Sequence, residues 1–106
     1  MTPEGKFKRY LIKKIERQYP GAIVLKNDAA FLQGIPDHLI LYNEQWAAFE
    51  AKADLYSIKQ KNQEYYVNLL NEMSYAVFVC PENEERFFDE LQHTFRVSRP
   101  SRIFGS

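Results

Sequence analysis

The sequence predicts an α/β domain whose elements run α-β-β-β-α-β-α. Three observations lead there. Apolar spacing changes along the chain from a helical period to short strand-like runs and back again. The runs that read as paired strands are largely apolar at both parities, so a sheet built from them is covered on both faces. At 106 residues, 45% hydrophobic and 15% aromatic, the chain is one domain with enough apolar material for a single core.

Thr2, Pro3 and Glu4 open the first helix: a hydroxyl cap, a proline at the first helical position, and an acid near the positive end of the dipole. This helix reaches about Gln18 and stops before Pro20-Gly21. Its inward stripe is Phe7, Leu11 and Ile15, with Tyr10 beside it. Glu4 precedes Leu11 by seven residues and so falls on the same stripe. AIVLK (22–26) is a short strand, and the loop NDAAFLQGIP is punctuated by Gly34 and Pro36. DHLILY and QWAAFEAK form a hairpin around a polar turn at Asn43-Glu44-Gln45. After the connector ADLYSIK, QKNQEYYVNLLNEM reads as a second helix with Gln63, Tyr66, Leu70 and Met73 close to one face. YAVFVC is a fourth strand, ENEERFFDELQHTF a final amphipathic helix, and RVSRPSRIFGS a basic tail. Tyr65, Tyr66, Phe87, Phe88 and Phe95 recur at helical spacing and fit core better than a base-stacking platform.

Composition narrows the function classes. A net charge of zero argues against gripping nucleic acid by bulk electrostatics, although Lys6, Arg9, Lys13 and Arg17 recur along one face of the first helix. The lone cysteine, Cys80, ends an apolar run and reads as a small buried hydrophobe. It excludes an internal disulfide and suits a reducing compartment. MTPEGKFKRY has no signal-peptide apolar region, and no membrane-length apolar run follows, so a cytoplasmic protein with no membrane partner is expected.

Three charges interrupt the hairpin, and they point to chemistry. An ionised side chain moved into a low-dielectric site costs several kcal/mol unless it is paired or bound to a cation. Glu50 and Lys52 are two apart on a strand and emerge on one face, while Asp37 enters the neighbouring strand. Paired carboxylates on adjacent strands bind a hard divalent cation, and a lysine beside them orients water and offsets phosphate charge. That set suits phosphodiester hydrolysis. It works only if Asp37 and Glu50 share a face, which requires an even connection between the strands or a bulge. Because Glu44 suits left-handed geometry poorly, a four-residue loop or a bulge is expected ahead of a two-residue Asn43-Glu44 turn. His38, of opposite parity to Asp37, is expected to pack or to be hydrogen-bonded and not to be catalytic.

MTPEGK at the first helix, GIPD, FEAK, a glutamine opening the next helix, and the turn and apolar strand after it together resemble the virus-type replication-repair nuclease (VRR-NUC) family. That family belongs to the PD-(D/E)xK nuclease superfamily, and the resemblance spans residues 2 to about 80. It implies a restriction-endonuclease-like α-β-β-β-α-β core with a mixed central sheet, to which residues 84–106 add an extra C-terminal helix and the basic tail. It further implies Asp37 and Glu50 as metal ligands, the Ala51 carbonyl as a third, Lys52 as the catalytic lysine, and Glu4 as a helix-borne acid reaching the same metal. Gln63 would lie against the site or the DNA backbone. The implied protein is a phage-encoded, Mg²⁺- or Mn²⁺-dependent endonuclease of the bacterial host cell, a homodimer resolving Holliday junctions and related branched DNA. Ser74-Tyr75 stands where relatives usually have glycine, and no rich phosphate-binding loop follows Lys52. Competing readings are a flap- or end-selective repair nuclease, a catalytically silent DNA-binding module on the same fold, and a protein-interaction domain using the acidic last helix.

Overall fold

In α1 (Pro3–Gln18), Thr2 accepts the Gly5 N–H at 3.0 Å and Phe7, Leu11 and Ile15 are the buried residues, as their spacing predicts. The computed structural model describes residues 1–28 and 30–96; the basic tail from residue 97 onward lies outside them. The further elements are β1 (Ile23–Lys26), β2 (His38–Tyr42), β3 (Gln45–Ala51), α2 (Lys61–Met73), β4 (Ala76–Val79), a single 3₁₀ turn at Pro81–Asn83, and α3 (Glu84–Arg96). The four strands form one mixed sheet in the order β1-β2-β3-β4. β1, β2 and β3 pair antiparallel, and β4 joins β3 in parallel after the α2 crossover.

Alternation along the strands divides the interior into two layers. Ile40, Ala47, Phe49, Ala51 and Val79 face α1 and α3, where they meet Leu11, Ile15, Phe87, Phe88, Leu91 and Phe95. Ala48 and Ala76 face α2 instead, packing on Val67 and Leu70 with Trp46 and Phe78 at the margin. Each large side chain so buried contributes about 1.5–3 kcal/mol, so the final helix, with four buried residues, belongs to the principal core. A polar clamp reinforces its contact with α1. Tyr10 Oη and Lys14 Nζ both donate to Glu84 Oε2, and the Lys14 ammonium lies 4.5 Å from the centre of the Phe88 ring.

On the face of α2 that carries Gln63, Tyr66, Leu70 and Met73, Met73 at the final turn is 64% exposed, and Val67 is the residue this helix buries. Two expectations need correction. Tyr65 is likewise exposed, while Phe87, Phe88 and Phe95 are core. The sheet is covered on both faces only toward β3 and β4, where α2 packs; Ile23 and Leu25 on β1 are left 55% and 43% exposed. Ser74, in the place of a glycine, adopts a negative φ of −150°, and its hydroxyl donates to the Trp46 carbonyl, so this turn needs no glycine.

Candidate active site

Register decides whether the hairpin carboxylates can cooperate. Tyr42 pairs with Gln45 and His38 with Phe49, leaving Asn43-Glu44 as a two-residue turn. The connection is even, as a shared face demands, but it is neither the longer loop nor the bulge expected. Asn43 takes a φ of 56° and Glu44 stays at negative φ, the sign pattern of a type II′ turn, so only asparagine enters the left-handed region.

One step beyond the His38–Phe49 pair, Asp37 stands across from Glu50, and its N–H donates to Glu50 Oε1 at 3.1 Å. Asn27, just after β1, fixes this rim. Its N–H donates to the Asp37 carbonyl at 2.7 Å and its side-chain amide to the Pro36 carbonyl at 2.8 Å. Glu50 is only 4% exposed. Burial, then the Asp37 charge, push its carboxyl from the ordinary 4.5 to about 7, against the opposing pull of the Asp37 N–H, Lys52 and Lys8.

Lys52 follows at the end of β3, where its N–H donates to the Val79 carbonyl. Its ammonium donates to the Ile58 carbonyl and to Gln63 Oε1, each at 3.0 Å. Gln63 also receives the Gln60 N–H at 3.0 Å, so one side chain both caps α2 and steers Lys52. Gln63 therefore reaches the site through the lysine. Gly34 brings the approaching loop against the same helix. At its φ of +94°, an added Cβ would lie 2.4 Å from the Asn62 Cβ, a contact no side chain can occupy. Ala51, the expected carbonyl ligand, is wholly buried between Glu50 and Lys52 in register with Val79.

Glu4 reaches this rim indirectly. Lys8, one helical turn later, stands between the acids, its Nζ 2.6 Å from Asp37 Oδ2 and 3.5 Å from Glu4 Oε2. Burial lowers its pKa, but hydrogen bonding and charge from Asp37 and Glu4 outweigh that and leave it raised. Among the described residues, no group of three His, Cys, Asp or Glu side chains is placed to hold a metal by itself. Lys8 was absent from the sequence reading, although its spacing of four from Glu4 put it beside the inward stripe. Lys6, Arg9, Lys13 and Arg17 lie on the exposed part of α1. His38 is buried and stacks on Phe49 with ring centres 4.8 Å apart, and burial, first among its influences, lowers its pKa. Among the described residues its Nδ1 has no hydrogen-bond partner, and the ring packs on Phe49. Cys80 is buried, and burial raises its thiol pKa, which suits an inert side chain.

The donor chemistry suits a hard divalent cation. Mg²⁺ is commonly held by one or two carboxylates, with water and phosphate oxygens completing its shell, so Asp37 and Glu50 meet the protein's share. A cationic nitrogen already stands 2.6 Å from Asp37, which shows that the rim draws positive charge. No protein-family model, curated protein or solved structure matches the chain. Among the described residues, no helix is long and apolar enough to cross a membrane.

Proposed function

We propose that this protein is a Mg²⁺- or Mn²⁺-dependent, structure-selective DNA endonuclease of the VRR-NUC kind on a restriction-endonuclease-like core, acting on branched DNA as a homodimer. The observation that carries the reading is the opposition of Asp37 and Glu50 across an even hairpin, where the Asp37 main-chain N–H donates to Glu50 Oε1 at 3.1 Å, with Lys52 two residues further on. Asp37 and Glu50 would hold the cation, with the Ala51 carbonyl as a further donor. A bound Mg²⁺ supplies an acidified water and neutralises charge on the scissile phosphate. Lys52, aimed by Gln63, would orient the attacking water and stabilise negative charge developing on the phosphodiester. Glu50, whose carboxyl burial holds up at about 7, would be favoured in its ionised form by a cation held there. The exposed cations Lys6, Arg9, Lys13 and Arg17 supply phosphate contacts, which position DNA without reading its bases. A two-fold dimer gives two sites for two symmetric nicks, the requirement of a Holliday junction resolvase.

The test is cleavage of labelled linear duplex, flap and four-way junction DNA with and without Mg²⁺, beside the Asp37→Asn variant. Paired nicks in the four-way junction that need both the metal and Asp37 are expected. Preference for flaps or ends would convert the reading to a repair nuclease. Metal-independent binding with no cleavage of any substrate, in Mg²⁺ or Mn²⁺, would leave a silent DNA-binding module.

A further inference from the structure

Lys8 already holds Asp37, one of the two carboxylates that the proposed reading gives to a divalent ion. Carboxylates from two different elements, Glu4 of α1 and Asp37 at the head of β2, converge on its single ammonium at 3.5 and 2.6 Å. The shorter contact is a charge-assisted bond just under the usual range of about 2.7–2.9 Å, and it engages Oδ2 of Asp37, whose main-chain N–H meanwhile binds Glu50. A Mg²⁺ held by this carboxylate would stand about 2.0–2.1 Å from a ligating oxygen, and two cations crowded onto one carboxylate repel. Oδ2 cannot serve both, and the repulsion favours release of the ammonium when the doubly charged ion binds. The ammonium has somewhere to go, because Lys8 also lines a cleft of about 540 Å³ with Lys26, Asn27, Asp28, Ala30 and Asp37.

We propose that Lys8 is a resident placeholder cation: it neutralises Asp37 and Glu4 while no divalent ion is bound, and it surrenders Asp37 when one arrives. The inference rests on the reading of Asp37 and Glu50 as metal ligands and adds a competitor built into α1. Because the metal binds only the fraction of molecules in which Asp37 is released, its apparent affinity is weakened by that fraction. A displaced Lys8 lies in the cleft beside Lys26, two ammonium groups next to the carboxylates, where a substrate phosphate can engage them.

The decisive measurement is Mn²⁺ binding to the full chain by calorimetry, comparing wild type with Lys8→Met, Lys8→Arg and Asp37→Asn. Lys8→Met is expected to bind Mn²⁺ about tenfold more tightly than wild type. Lys8→Arg, which keeps a cation, should bind no more tightly, and Asp37→Asn should lose the site. Equal or weaker binding by Lys8→Met, with Asp37→Asn still defective, overturns the placeholder and leaves the metal site standing. Equal binding by Asp37→Asn and wild type overturns both. A second measurement needs no variant: acylation of lysines in the wild-type protein, read by mass spectrometry, should speed up at Lys8 on addition of Mg²⁺. Lys14, held by Glu84 at 2.8 Å, serves as the control that should not change. A Lys8 rate that saturating Mg²⁺ leaves untouched overturns the inference even if Lys8→Met fails to fold.

Discussion

Replacing Glu50 with glutamine should make the metal-free protein more stable at pH 8, because the structure holds this carboxyl where its ionised form is disfavoured. In the folded chain Glu50 titrates at about 7, against 4.5 for an unperturbed carboxyl. Below pH 4.5 both states are protonated and the group is neutral in the balance. As pH rises the unfolded chain gives up its proton first, so folding stability falls until the folded carboxyl also ionises near 7, and is flat above that. At 1.36 kcal/mol per pKa unit the full loss is about 3 kcal/mol. Glutamine keeps an oxygen for the Asp37 N–H and removes the charge, so a gain of about 1–3 kcal/mol is expected at pH 8, shrinking to nothing in acid. Urea unfolding in EDTA at pH 4 and pH 8 measures it. Mg²⁺ should then restore stability to wild type and leave Glu50→Gln unmoved. A glutamine variant no more stable than wild type at pH 8, or a gain that persists unchanged in acid, would refute the assignment of a buried, cation-seeking carboxylate.

Other expectations follow from individual contacts. Gln63→Ala frees the Lys52 ammonium from its 3.0 Å partner and should lower kcat on junction DNA roughly tenfold with little change in KM, as single-turnover kinetics would show. Gly34→Ala forces a Cβ against Asn62 at a φ of +94° and should cost upwards of about 2 kcal/mol in urea titration. Leu91→Ala opens a hole between α3 and the sheet and should cost about 2–5 kcal/mol by the same assay. Neutralising Lys6 and Arg9 together should flatten the slope of log affinity against log salt by roughly 1.8, and an unchanged slope would make this part of α1 a merely solvated face.

The order of elements, the cap on α1 and its buried trio were legible because each follows from periodicity and local backbone chemistry. The opposition of Asp37 and Glu50 was legible in outcome but not in means. The objection to Glu44 in a tight turn assumed left-handed geometry at both central positions, whereas here Asn43 alone adopts it. Lys8 was missed for another reason. A lysine among many on a basic helix reads as solvated, and only the approach of Asp37 from residues far along the chain gives it a partner. The exposure of Ile23 and Leu25 was hidden similarly, since strand composition reports that a face is apolar and not how far a helix will extend across it. Met73 carries the period of α2 past the part of that helix that packs.

The shared layer of α1 and α3 has a consequence for how the chain acquires its site during synthesis. Glu4 and Lys8 are made well before residue 84, yet the layer in which their helix packs also includes Phe87, Leu91 and Phe95, and Lys14 finds Glu84 only when residue 84 has emerged. A ribosome adding about 5–20 residues per second spends several seconds between the two helices. For that interval a nascent chain can hold the hairpin, with Asp37 facing Glu50, while α1 is unseated. The first helix reaches its full packing only when α3 arrives, and a chain cut short before Phe87 would carry every rim residue while lacking the Phe87, Leu91 and Phe95 part of the layer beside that helix.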